Sequence, residues 1–253
     1  MNILAFANQK GGVGKTTSAV NVAASLGILG KKVLLLDLDP QGNATSGVGI
    51  EKKGAFVTTF EVLVDGADIR NGILATAFQN LWVLPANMEL AGAEIALSGA
   101  SSREHVLKKA LAAVDGAFDY VIIDCPPSLG ILTLNGLVAA HKVMVPMQCE
   151  YFALEGLSQL VYTINLVRKM YNPALQLGGL ILTMYDGRLN LSLAVAAELK
   201  KHFPDKVFRQ TVPRNVRLSE APSHGMPAAY YDKYSKGAAA YEAIARELLE
   251  RGI

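Results

Sequence analysis

The stretch from Asn2 to Thr17, NILAFANQKGGVGKTT, constrains this chain more than any other. Its opening apolar run predicts a short β-strand, and the glycines and lysines that follow predict a tight loop that opens into a helix. Gly11, Gly12 and Gly14 allow the backbone to curl so that successive N–H groups point inward. Because such a nest at a helix N-terminus suits a polyanion, the stretch predicts a phosphate-binding loop.

Two side chains of this loop have the chemistry that nucleotide phosphates require. Lys15 supplies a point charge for the terminal phosphates, and Thr16 supplies a hydroxyl for a magnesium ion that bridges them. The usual pattern has a glycine five residues before Gly14, but here that position is Gln9, and a second lysine, Lys10, precedes the glycines. The alternative interpretation is a glycine-rich turn with two solvated lysines, but the strand, the glycines, the Lys-Thr pair and the helix all agree with a phosphate loop.

Two later strands end in aspartates. The apolar run at 32–36 leads into Asp37 and Asp39, and the run at 119–125 ends at Asp124. Carboxyl ends of parallel strands are where α/β sheets bind ligands. Paired with the phosphate loop, Asp124 therefore predicts a Walker B acid that orders magnesium through its water shell. Strand alternation places Asp37 and Asp39 on the same face, and the alternative is that one of them caps a turn.

Strands and helices alternate along the chain. Continuous apolar runs are typical of parallel strands that are buried on both faces. We therefore predict an α/β fold, with a single doubly wound, mainly parallel sheet flanked by helices, in one domain spanning residues 1–253. The helix at 101 is predicted to open with a capping box formed by Ser101 and Glu104. The predicted strands are 2–7, 32–36, 82–84, 119–125, 142–148, 177–184 and 207–211, and the predicted helices are 15–29, 60–64, 101–114, 156–170, 191–203 and 235–251.

Composition excludes several classes of protein. With 253 residues, 51% of them hydrophobic and 18% charged, the chain can build a sizeable core and is neither disordered nor a polybasic tail. Cys125 and Cys149 lie far apart and form no CxxC pair, which argues against a zinc ribbon or a cluster carrier. Because the sequence shows no secretory leader and no long apolar run, we expect a cytoplasmic protein with no membrane span.

A local excess of positive charge lies near the end of the chain, although the net charge is only +2. Between residues 200 and 217, the single acid Asp205 faces six basic residues: Lys200, Lys201, Lys206, Arg209, Arg214 and Arg217. Such a patch suits contacts with DNA phosphates without base reading. The alternative is an ordinary solvated face, and charge alone leaves both interpretations open.

Five sequence blocks resemble the ParA/MinD family of deviant Walker A ATPases, and in particular its chromosomal ParA, or Soj, members. The blocks occur in the family's order and the resemblance covers nearly the whole chain. It implies a P-loop NTPase fold and magnesium-dependent hydrolysis of ATP. The blocks are KGGVGKTT, LLLDLDPQGNATSG, VIIDCPPSLG, QCEYFALEGLSQL and VPRNVRLSEAPSHGMP.

The resemblance also implies roles for individual residues. Lys10 would reach across a dimer to the partner's nucleotide, so that two protomers sandwich two ATP molecules. Lys10, Lys15 and Asp39 would serve catalysis, with Asp39 positioning the attacking water. Thr16 would bind magnesium directly, while Asp39 and Asp124 would contact it through water. The residues implied to bind ATP are Lys10, Gly11, Gly12, Val13, Gly14, Lys15, Thr16, Thr17 and Asp124, with Pro213 and Asn215 around the adenine ring.

The partners implied by the resemblance are duplex DNA and a ParB-type centromere-binding protein. Arg188 and Arg217 match positions that contact DNA non-specifically in the nucleotide-bound homodimer, so nucleoid association is expected. The main alternative is a MinD-like ATPase at the membrane surface, which needs a basic amphipathic helix at the C-terminus. The acids in 241–253 argue against that helix. A small-molecule kinase and a non-enzymatic scaffold are further alternatives with less support in the sequence.

Overall fold

A seven-stranded sheet runs through the centre of this computed structural model, which describes residues 1–54 and 57–253. The strand order is β3-β4-β2-β5-β1-β6-β7, and every neighbouring pair is parallel except β3 and β4. This confirms the predicted α/β class with a mainly parallel sheet. The strands are β1 (Asn2–Phe6), β2 (Val33–Asp37), β3 (Leu74–Ala75), β4 (Leu81–Leu84), β5 (Tyr120–Asp124), β6 (Lys142–Gln148) and β7 (Gln176–Thr183).

Helices cover both faces of the sheet, which explains why its central strands are apolar throughout. Along β1, Ile3 and Ala5 belong to one hydrophobic core, whereas Leu4 and Phe6 belong to the core on the opposite face. The α-helices are α1 (Lys15–Ile28), α2 (Asn43–Gly47), α3 (Thr59–Val64), α4 (Ala93–Ala96), α5 (Val106–Leu111), α6 (Ile131–Ala139), α7 (Ala153–Met170), α8 (Asn190–His202), α9 (Val216–Glu220), α10 (Ala228–Tyr231) and α11 (Lys236–Glu250).

The predicted capping box at Ser101 is wrong. Ser102 adopts a left-handed conformation (φ 57°) and caps no helix with its side chain, and the segment divides into a 3-10 turn, α5 and a second 3-10 turn. The capping box lies instead at the start of α3. There the Thr58 N–H donates to the Glu61 carboxylate at 2.7 Å, and the Thr58 hydroxyl accepts backbone N–H groups of the first turn.

The predicted strand at 207–211 is also wrong, because only Val207 forms a bridge, to Leu180 of β7. The N–H of Arg209 turns away from the sheet and donates to the Glu247 carboxylate of α11 at 3.1 Å. Backbone pairing resumes only when the N–H of Val212 reaches β7. A contact from a helix distant in sequence therefore interrupts the strand.

Candidate active site

The loop between β1 and α1 presents free backbone donors. Among the described residues, the N–H groups from Gly11 to Thr17 donate to no other group of the chain. Gly12 (φ 73°) and Gly14 (φ 83°) adopt the left-handed conformation that such a curled loop requires. No side chain caps the start of α1, so its N-terminus is open to an anion.

Lys15 lies beneath this loop with only 7% of its surface exposed. Its Nζ atom donates to the carbonyl of Lys10 at 3.1 Å. Burial lowers the pKa of Lys15, and the charges of Asp124 and Asp39 oppose that effect. The structure therefore brings the predicted lysine and both predicted acids into one electrostatic group.

Asp124 is fully buried, and neither of its carboxylate oxygens has a hydrogen-bond partner among the described residues. Burial raises its pKa first, and the neighbouring charge of Asp37 raises it further. Lys15 and the nearby Thr16 hydroxyl act in the opposite direction. An unpartnered buried carboxylate beside a hydroxyl and the phosphate loop fits a cation, and Asp124 and Thr16 would hold magnesium here.

The described residues contain no group of three or more histidine, cysteine, aspartate or glutamate side chains that could hold a metal ion by itself.

The two aspartates that follow β2 make different contacts. Asp37 pairs in register with Asp124 and accepts hydrogen bonds from the N–H (2.8 Å) and hydroxyl (2.7 Å) of Thr45. Burial raises the pKa of Asp37 to about 6 despite these bonds. Asp39 accepts the N–H of Gln41 at 2.9 Å and so caps the turn that follows. Asp37 thus anchors α2, while Asp39 remains the residue predicted to orient water.

A cavity of about 350 Å³ adjoins the phosphate loop. Pro213 and Asn215, the residues predicted to hold adenine, line it together with Gly14 of the loop. Sequence reasoning missed two further lining residues, although both lie at the carboxyl end of a buried strand: Thr183 is the last residue of β7, and Met184 follows it. The cavity therefore places a base-sized space next to the predicted triphosphate site.

Lys10 is held within its own chain. Its Nζ atom forms an ion pair with Glu150, just beyond β6, and nearly half of each side chain is exposed. The predicted reach of Lys10 across a dimer therefore requires this pair to open.

The two arginines predicted to contact DNA lie on the surface and have acidic neighbours. The Arg188 side chain is 89% exposed and donates to Asp186 at 2.7 Å. Arg217 donates to Glu220 at 2.8 Å and lies 3.2 Å from Asp232.

Acidic side chains, some on a distant helix and one a single helical turn away, also neutralise part of the predicted basic patch. Arg209 pairs with Glu247 and Glu250 of α11, and Lys201 lies 3.6 Å from Glu198. The local excess of positive charge is therefore smaller in the fold than in the sequence.

The cysteines have the character of core residues rather than nucleophiles. Cys125 and Cys149 are both free and buried. Burial raises the pKa of each thiol, that of Cys149 to about 11. Among the described residues, no helix is long and apolar enough to cross a lipid bilayer.

Comparisons with known proteins agree with this geometry. A family model described as an AAA domain matches residues 1–177. The sporulation initiation inhibitor protein Soj of Bacillus subtilis is 56% identical over 250 residues, covering 99% of each chain. The chromosome-partitioning ATPase Soj of Treponema pallidum is 50% identical over 248 residues, covering 98% of this chain and 97% of the relative. This chain belongs to the ParA/Soj family of chromosome-partitioning ATPases.

The fold of this ParA/Soj protein also matches solved structures. One is a Mycobacterium smegmatis protein described as cobyrinic acid a,c-diamide synthase, with ADP and magnesium bound. Its TM-score is 0.86 at 42% sequence identity, and the match covers 99% of this chain and 94% of that one. The predicted P-loop NTPase class is confirmed.

Proposed function

We propose that this ParA/Soj ATPase is a DNA-partitioning switch, a single P-loop domain that binds ATP with magnesium and hydrolyses it in a dimer. One observation carries the proposal: free N–H groups from Gly11 to Thr17 lie next to a buried lysine, Lys15, and an unpartnered buried carboxylate, Asp124. Such a site is complementary to a nucleotide polyphosphate accompanied by a cation.

Hydrolysis requires positioning and neutralisation of charge more than covalent chemistry. The loop N–H groups and Lys15 hold the phosphates and offset the charge that develops on the transferred group. Thr16 and Asp124 would hold magnesium, which when bound would supply neutralisation of charge on the phosphate oxygens. Asp39 orients a water toward the terminal phosphorus, and the products are ADP and inorganic phosphate.

The ATP-bound state is a sandwich dimer in which Lys10 reaches the partner's nucleotide. Support comes from the exposed position of the Lys10 side chain at the rim of the loop, where its ammonium pairs with the similarly exposed Glu150. Since Lys10 contacts ATP only in the dimer, hydrolysis and dimerisation are linked. ATP favours the dimer and its hydrolysis dissolves it.

The dimer binds duplex DNA through phosphate contacts made by Arg188 and Arg217, without reading the sequence. A ParB-type protein stimulates hydrolysis and so releases the ATPase from DNA. The protein then cycles on and off the nucleoid within the cytoplasm.

The C-terminal helix gives the MinD-like alternative no support. Tyr241, Ile244 and Leu248 of α11 are each no more than 1% exposed. They belong to the core that α1 also builds. The apolar face of this helix is therefore occupied by the protein itself, whereas membrane binding would need it to be free.

The test is binding to a random-sequence duplex with ATP, with ADP and without nucleotide, at low and moderate salt, with anionic liposomes as a parallel ligand. We expect salt-sensitive binding to DNA only with ATP. Binding to liposomes without DNA would overturn the proposal in favour of a membrane ATPase.

Two double variants with the same change of charge test whether Arg188 and Arg217 form the DNA-binding surface. Arg188→Glu with Arg217→Glu should abolish ATP-dependent DNA binding. Arg70→Glu with Arg246→Glu is the control, because Arg70 donates to Asp68 as Arg188 does to Asp186, and Arg246 lies on an exposed helix face. DNA binding that survives the first double variant would refute the assignment.

A further inference from the structure

Two side chains at the edge of the sheet hold the carbonyl side of the phosphate loop. The Gln148 side-chain amide, at the end of β6, donates to the carbonyl of Gly12 at 3.0 Å. The Thr183 hydroxyl, at the end of β7, donates to the carbonyl of Val13 at 2.7 Å. Gln148 and Thr183 are register partners in the β6–β7 pair, so neighbouring strands contact neighbouring peptides of the loop.

These contacts determine where the loop's N–H groups point. In a planar trans peptide the C=O and the following N–H point in opposite directions. Holding the Gly12 carbonyl toward the sheet therefore turns the Val13 N–H outward, and holding the Val13 carbonyl does the same for Gly14. Those N–H groups belong to the set that has no hydrogen-bond partner in residues 1–54 and 57–253.

The packing around Thr183 makes its contact rigid. Thr183 is only 2% exposed, and its methyl group lies 3.7 Å from the position that a Cβ on Gly14 would occupy. Gln148 is held in turn, because its amide also lies 2.8 Å from the Met184 sulfur. Both donors are thus fixed before any ligand arrives.

We propose that Thr183 and Gln148 are positioning residues of this ATPase, which orient the Val13 and Gly14 N–H groups toward the β-phosphate. The inference rests on the proposed ATP site and adds two residues that lie outside the phosphate loop and outside the strand that ends at Asp124. Because Thr183 also lines the base cavity, the test must separate phosphate binding from base binding.

The experiment compares the affinities of ADP and AMP, with magnesium, by calorimetry. AMP keeps the base and lacks the β-phosphate that the loop cradles. We expect Thr183→Val, which keeps the shape and removes the hydroxyl, to weaken ADP about tenfold while changing AMP less than about twofold. Gln148→Leu should have the same selective effect, and Thr183→Ser should restore ADP binding.

Thr76→Val is the matched control, since the Thr76 hydroxyl donates to the carbonyl of Leu81, also at 2.7 Å, far along the chain from the phosphate loop. It should leave both affinities unchanged. Equal losses for ADP and AMP in Thr183→Val would overturn the proposal in favour of a base-pocket role. Unchanged ADP binding in both Thr183→Val and Gln148→Leu would overturn it outright. If wild-type protein bound no ADP, the ATP site itself would be refuted instead.

Discussion

The ammonium of Lys10 is paired with the carboxylate of Glu150 in the same chain. Nearly half of each side chain is exposed, and exposed ion pairs of this kind contribute about 0–1 kcal/mol. The pair therefore holds Lys10 in place in the monomer but is weak enough to open in the proposed dimer, where the partner's nucleotide would offer more negative charge.

Lys10→Ala should lower the rate of ATP hydrolysis in the presence of DNA and the partner protein by about a hundredfold or more. ATP should still bind the monomer. The reason is that, in the proposed dimer, Lys10 would neutralise charge in the transition state only from across the interface. Steady-state phosphate release with DNA and the partner present measures the loss, and Lys109→Ala, an exposed lysine on α5, is the control. An unchanged turnover rate in Lys10→Ala would refute the proposal that Lys10 acts on the nucleotide of the partner protomer.

Glu150→Gln makes the converse prediction. Removing the carboxylate frees Lys10, so the ATP-dependent dimer should form at a few-fold lower protein concentration. Analytical ultracentrifugation with ATP at low salt gives the measurement. A dimer that forms less readily would mean that Glu150 itself contributes to the interface.

Asp124→Asn should separate stability from activity. The Asp124 oxygens are buried and have no hydrogen-bond partner in the part of the chain that the structure describes. Replacing the carboxylate by a neutral amide should therefore stabilise the nucleotide-free protein by about 1–3 kcal/mol and raise its unfolding midpoint by a few degrees. The same change should remove the magnesium-dependent gain in ADP affinity. Asp119→Asn, at the other end of the same strand segment, should leave that gain intact. A lower midpoint in Asp124→Asn would contradict the idea that this carboxylate is destabilising without its cation.

Local pattern was sufficient for the parts of the site whose chemistry lies within one segment. Gly14, Lys15 and Thr16 are consecutive, and the roles predicted for them follow from a strand, a glycine turn and a helix start. Asp124 needed only the rule that parallel strands end at a common edge. The structure brings these residues to one end of the sheet, next to the cavity that Pro213 and Asn215 line.

Residues that act through tertiary contact could not be predicted. Thr183 contacts a carbonyl that lies 170 positions away in the chain, and its strand has no motif that marks it. The two Ser/Thr-x-x-Glu patterns at Ser101 and Thr58 are equally good locally, and only packing decides that Thr58 caps a helix. In the same way, Glu247 of a distant helix ended the strand predicted at 207–211.

The cysteines give a prediction about pH. Burial raises the pKa of Cys149 to about 11, so at pH 8 its thiolate fraction is roughly a hundredfold below that of an ordinary thiol. In a Cys125→Ala variant, modification by a chromogenic disulfide should be slow at pH 8 and accelerate about tenfold per pH unit, until the pH nears that value. The variant unfolded in urea should react at the ordinary rate. Fast reaction of the folded variant at pH 8 would show that Cys149 is accessible and ionised.

A close approach of two glycines links the loop after α2 to the loop after α9. A Cβ on Gly225 would lie 2.8 Å from the Cα of Gly49, and Gly225 has φ 62°. Gly225→Ala should therefore lose about 1–2 kcal/mol from the left-handed backbone and about 1–3 kcal/mol more from overpacking. Gly66→Ala is the matched control, because Gly66 has φ 69° and open space around it, so it should lose only the backbone contribution.

Urea unfolding measures the free energy of unfolding of both variants. Because both carry the same backbone strain, the difference between them gives the contribution of the contact between Gly225 and Gly49. The same contact joins the segment after Asp39, near the proposed nucleotide site, to the segment that carries Arg217. We therefore expect it to affect the nucleotide dependence of DNA binding. Gly225→Ala should reduce the difference in DNA binding between ATP and ADP, and Gly66→Ala should not. Equal losses of unfolding free energy in the two variants would show that the two loops can separate at low cost. The contact between them would then not couple the nucleotide site to DNA binding.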